Sequence, residues 1–412
     1  FLYFIGVARI TAMLAPLLFV VLSAGIGALT THVGAAPVLR NETALEMQHT
    51  VITVPTALRV ESRLTLGSVM LDAPISATVW GNSSLVRVDN VSASRNAVAS
   101  LQDPCMTVHS TGRGAIEIFD STFHCPVRIT MNFTEIIDFP LRISNCHFDW
   151  LEIDFVGMHL AVTGDQAGIY LGDLRAHYMR LTLSDTTIEP GNGAHAIQLI
   201  RVNATPTDDT ARAFGGDKSC TSVLSRVQLH RVNVAGKGGW EFDGGAVSVY
   251  DSPAVALELR NSTIATDMRN IAVRVRSHPN ATFDDTGVRF ATWPSYVIAT
   301  GVALRSYSGL AVERVVLLEP LQITLGRETS LHLEQVAVAF SQPHDAAVPT
   351  IDAAFPREGN YQPARYQVRQ VAIGAGRLHF GYGTGVQTTN KSGVGGAVQC
   401  EGGMCTWDVR PL

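Results

Sequence analysis

An eight-residue pattern recurs along this chain and restricts what it can fold into. LRISNCHF (141–148), LELRNSTI (257–264), IEIFDSTF (116–123) and LTLSDTTI (181–188) share one arrangement of apolar and polar positions. Twelve segments align on their first apolar residue: Leu64, Val86, Ile116, Leu141, Leu151, Leu181, Ile197, Val227, Leu257, Leu310, Leu331 and Tyr366. Two residues on, every copy carries a large aliphatic side chain, and the residue between is polar in all but Ala311. That alternation places apolar side chains on one face of a strand. The next inward position comes three residues later, where small or β-branched residues stand: Val69, Val91, Ser121, Cys146, Val156, Thr186, Val202, Val232, Ser262, Val315, Val336 and Val371. Parity breaks between these two inward positions, so the chain must bend. The fourth position, at the bend, is Asn90, Asp120, Asn145, Asp185 or Asn261 in five copies. Asn and Asp tolerate the left-handed backbone region better than other side-chained residues.

Each copy therefore reads as a short strand, a bend and a second short strand, all burying one edge. A single unit cannot cover its own apolar face; stacked units can. The fold class expected is all-β, a right-handed parallel β-helix (solenoid) behind an N-terminal apolar leader. Some copies start very close together, as Leu141 and Leu151 do, which suggests two faces of one coil. The gap from 257 to 310 has room for a further coil around IAVRVRS (271–277). The competing architecture is an antiparallel sandwich, but tight Asn-Gly or Asp-Gly hairpin turns are scarce. The expected organisation is a leader or membrane anchor at 1–36, an N-terminal cap at 37–60, the coils at 61–374 and a Gly-rich C-terminal coil at 375–412.

Composition narrows the partners. Charged residues are 16% of the chain, against about 25% in an average soluble protein, and the net charge is −5. There is no basic stripe, so nucleic acid is not an expected partner. Residues 13–29, MLAPLLFVVLSAGIGAL, follow Arg9 and lead into small residues near Ala35 and Ala36, as a secretory signal does; a membrane anchor is the alternative. The chain opens on Phe1, which suits a segment of a longer protein.

Eight of the 14 asparagines lie in N-x-[ST] sequons: Asn41, Asn82, Asn90, Asn132, Asn203, Asn261, Asn280 and Asn390. Chance would place about two there. Together with six cysteines they point to an oxidising compartment, at the cell surface or outside the cell. Cys400 and Cys405 are spaced for a local disulfide, while Cys105, Cys125, Cys146 and Cys220 allow three pairings. No His follows CEGGMC at zinc-ligand spacing, and neither metal nor cofactor is expected.

GGAVSV (244–249), GGAVQC (395–400) and GAIEIF (114–119) resemble the rungs of extracellular pectin-lyase-like β-helix proteins of the polymorphic-membrane-protein kind. Combined with the [ND]-[SC]-x-[FI] pieces, the sequons and the apolar leader, the chain resembles the dispersed gene family of trypanosome and kinetoplastid surface proteins. That resemblance implies a β-helix over 60–412 and a surface location.

Enzymes on such folds need clustered carboxylates to hold Ca²⁺ or to serve as acid and base. The candidates are Asp208 and Asp209, Asp284 and Asp285, and Glu241 with Asp243 beside Trp240, an aromatic suited to a sugar. None sits in a hydrolase motif of that fold. His147, His230 and His332 fall at outward or bend positions, where a solvated surface role is expected. No nucleophile elbow, P-loop or dinucleotide fingerprint is present. The expectation is a non-enzymatic, glycosylated surface or secreted protein acting in adhesion or display. It would bind host or matrix protein or carbohydrate through loops, with Trp240 as a contact. A polysaccharide lyase or glycoside hydrolase is the alternative.

Overall fold

The computed structural model describes residues 38–338, apart from 206–224, 237–245, 278–294 and shorter interruptions, and beyond these only isolated strands to Trp407. The leader therefore lies outside the described residues. The described chain is all-β, with one short 3₁₀ turn at Arg95–Ala97. Every described strand pairing is parallel, which removes the sandwich alternative and is compatible with a β-helix.

Three long ladders run through the described sheets. In the first, one inward column runs Leu45, Leu64, Val86, Ile116, Leu141, Ile169, Ile197, Val247, Val273, Leu310 and Leu331, each directly opposite the next. In the second, Leu58, Ala77, Val108, Ile129, Ile153, Leu181, Val227, Leu257 and Val297 are aligned in the same way. The third begins later, with Leu160, Ile188, Val234, Ile264, Leu304 and Leu325 in one column. Identical inward positions thus stack at the ~4.8 Å spacing of paired strands and fuse into one apolar core running from Ile52 to Ala353.

The sequence copies divide between two of these ladders. Leu141 belongs to the first, and the Leu151 copy to the second, on the same turn of chain. The coil expected near 271–277 is strand Ile271–Arg276 of the first ladder, and Ser295–Thr300 adds a rung to the second. Strand Val38–Gln48, within the segment read as a cap, also lies parallel against Thr56–Gly67.

One copy needs correction. Leu181 stands opposite Ile153, not Leu151, so that copy begins two residues later than its sequence alignment. Two misfits disappear with the shift. Val156, expected to point inward, is 46% exposed, and Met158 takes the buried place. The bend position, which the unshifted alignment gave to Phe155, falls on Gly157, with φ +64°.

The bend itself is left-handed throughout. Apart from Ala254 and Glu328, every described non-glycine residue with positive φ stands four residues after a member of the first or second column, from His49 to Gln335, with φ between 47° and 55°. Gly157 and Gly301 occupy the same place. This turn redirects the strand by the one residue that the parity break demands. The position after it faces inward, and where it carries a hydroxyl it repairs the ladder. Ser121 donates to Phe119 O at 2.6 Å and accepts from Val91 N of the preceding coil at 3.0 Å. Ser262 does the same between Arg260 O and Val232 N. A buried backbone donor is expensive to leave unmade, which explains the Ser and Thr among these core positions.

Candidate binding groove

The bend side chains form an exposed row that pairs from coil to coil. Asn90 donates to Ser68 Oγ at 3.0 Å, and Asn145 to Asp120 Oδ1. Arg201 holds Asp173 by two hydrogen bonds of 2.6 and 2.7 Å. In the second ladder Arg231 holds Asp185 in the same way. The hydrogen bonds from Arg201 and Arg231 keep the Asp173 and Asp185 carboxyls below their usual range.

A groove of about 530 Å³ runs beside this row. One edge is Asp120, Asn145, Asp173 and Arg201, and the other is Thr122, His147, Arg175 and Asn203. Thr122, His147 and Arg175 are register partners, so the lining comes from successive coils of one short ladder. Cys146 and Leu174 lie between the edges. Cys146 is free, whereas Cys105 and Cys125 form a disulfide, which settles that pairing. The thiol stands at the inward position after the bend and donates to Ser144 O at 3.2 Å, as serine does in other coils. Burial pushes it up to about 12, so it is not a nucleophile at neutral pH. Cys220 lies outside the described residues, and so do the side chains of Cys400 and Cys405.

Next to the groove, His147 is not a simple solvated histidine. The register slips between Phe123 and Pro126, so that His124 and Cys125 oppose the single residue Asp149. Such a bulge re-aims a side chain, and here His124 turns out beside Asp149. His124 Nδ1, His147 Nε2 and His177 Nδ1 stand 3.4, 3.5 and 3.3 Å from the same Asp149 oxygen. Arg95 reaches the other oxygen at 3.3 Å. Burial and the adjacent His177 push His147 below its usual value, against the pull of Asp149. The three histidines lie on three short segments that only the stacking unites, and no local motif links them.

A second cluster surrounds Glu258, whose side chain is 4% exposed. Arg226, Gln228 and Arg260 donate to it, and His230 Nε2 lies 3.5 Å away, so His230 also departs from the solvated role expected. Burial would raise this carboxyl, but the hydrogen bonds from Arg260 and Gln228 and the two guanidinium charges hold it at about 2. His332 lies 3.2 Å from Glu334.

The sequence-derived candidates Asp208, Asp209, Trp240, Glu241, Asp243, Asp284 and Asp285 all lie outside the described residues, as do Asn280 and Asn390. Among the sequons, Asn82, Asn90, Asn132, Asn203 and Asn261 are exposed, and Asn203 closes one end of the groove. Among the described residues, no helix is long and apolar enough to cross a membrane. No protein-family model matches the chain, and no curated protein or solved structure matches it.

Proposed function

We propose that the chain is a right-handed parallel β-helix that works outside the cytosol, at a cell surface or secreted, as a glycosylated scaffold for adhesion or display. It binds a saccharide or protein partner along the groove between the bend row and the Thr122–His147–Arg175 row, and does not cleave it. The observation that carries this reading is how the groove's acids are occupied by neighbouring side chains. Asp173 is clamped by Arg201 and held below the usual carboxylate range, and Asp120 accepts a hydrogen bond from Asn145. A glycosidase needs a carboxyl kept protonated at working pH, the opposite of what Arg201 does to Asp173. The groove instead offers amides, an imidazole, a hydroxyl and guanidiniums at strand spacing, a set suited to hydrogen-bonding a ligand that runs across coils. A glycan on Asn203 would stand at the groove's end, which favours a partner approaching from outside over a substrate threaded through.

The test is a panel of neutral and acidic polysaccharides and matrix proteins applied to the purified chain, scored for retention and for cleavage. Retention that weakens in Asn145→Ala and Arg175→Ala is expected. Cleavage that disappears when Asp208 and Asp209, Asp284 and Asp285, or Glu241 and Asp243 are replaced together by Ala would overturn the reading and make the protein an enzyme.

A further inference from the structure

We propose that His124, His147 and Asp149 form a surface site for a divalent transition metal of the zinc type. His177 and Arg95 position the carboxylate. The ligand atoms of His124, His147 and Asp149 lie within 4.8 Å of one another. The two imidazole nitrogens are 3.4 and 3.5 Å from Asp149 Oδ1. Two donors bound at ~2.1 Å to a tetrahedral ion stand about 3.4 Å apart, so an ion can enter with small side-chain rotations. The donors are mounted on paired strands: His147 in His147–Val156 lies one coil from His124 in Thr122–Met131. The backbone is therefore held by the ladder and the neighbouring disulfide, while the side chains remain accessible: His124 is exposed, and His147 and Asp149 are half-buried.

Support around the ligands has the form that metal sites require. Arg95 occupies Oδ2 of Asp149 and so leaves Oδ1 facing the imidazoles. His177 Nδ1, at 3.3 Å from Oδ1, braces the same carboxylate from the following coil. Such outer partners fix ligand orientation. Two imidazoles and one carboxylate favour zinc, copper or nickel over calcium or magnesium, which take oxygen donors. Three protein donors leave a coordination position for water, beside the groove that His147 also lines. The site goes beyond the adhesion reading and does not depend on it.

The experiment is a Zn²⁺ titration of the metal-free full chain by chelator competition, with Co²⁺ absorption reporting geometry and Ca²⁺ as control. One Zn²⁺ per chain is expected, with tetrahedral-type Co²⁺ bands and no competition from Ca²⁺. His124→Ala, His147→Ala and Asp149→Asn should each weaken binding more than tenfold, and His177→Ala about tenfold. Far-UV circular dichroism should be unchanged in all four variants. A chain with no saturable Zn²⁺ site, or one whose affinity survives His147→Ala and Asp149→Asn, would overturn the proposal. Neither result bears on polysaccharide retention, so the two readings fail separately.

Discussion

Replacing Glu258 with Gln tests whether the ionic cluster on the second ladder stabilises the fold. The substitution preserves shape and one acceptor but removes the charge that Arg226 and Arg260 share. A carboxyl moved from 4.5 to about 2 carries roughly 3 kcal/mol, at ~1.4 kcal/mol per tenfold change in proton affinity. The two arginines are about a third exposed and recover some hydration, so the expected loss is ~2–3 kcal/mol at pH 7. The folded carboxyl titrates below the unfolded one. Its stabilisation is therefore complete above about 4.5 and is lost as the pH falls toward 2. Urea denaturation followed by circular dichroism at pH 7 and pH 2 measures both quantities. The gap between wild type and Glu258→Gln should shrink to under ~1 kcal/mol at pH 2. A penalty below ~0.5 kcal/mol at pH 7, or an equal penalty at both pH values, would refute the reasoning, because the charge would then contribute nothing to folding.

Three further outcomes are expected. Phe148→Ala, which removes a fully buried ring stacked 5.2 Å from Phe123, should cost ~3–5 kcal/mol in the same denaturation assay. Gly157→Ala should cost about 1 kcal/mol, and Gly157→Asn less, because a Cβ there meets nothing within 4 Å and only the positive φ is at issue. Cys146 should resist iodoacetamide in the native chain at pH 8 and react once denaturant is added, as mass spectrometry would show; rapid native labelling would contradict its burial.

The pattern of inward positions was legible in the sequence because each coil repeats the same local problem. Leu141, Ile143 and Phe148 must face inward, and Asn145 must turn the chain between them, whatever the neighbouring coils do. Left-handed geometry at the bend was legible for the same reason, and it extends even to Arg201, Arg231, Arg314 and Gln335, residues that seldom adopt it alone. Parity could not fix the starting residue where apolar side chains run on, as in DWLEIDFV (149–156). Leu151 and Ile153 are both apolar and both inward, so only pairing with Leu181 chose between them.

The groove and the histidine cluster were not legible. Their members come from segments 20 or more residues apart that share no motif; they meet because stacking aligns Thr122 with His147 and Arg175, and because a bulge swings His124 toward Asp149. The sequence by itself determined that the chain would bury one edge of short, bent strands, since alternation and bend residues act within a few peptide units. The tertiary structure alone decided the register between coils, and with it which polar side chains stand together on the outer face. Outward residues are under no packing constraint, so only the stack assigns their neighbours.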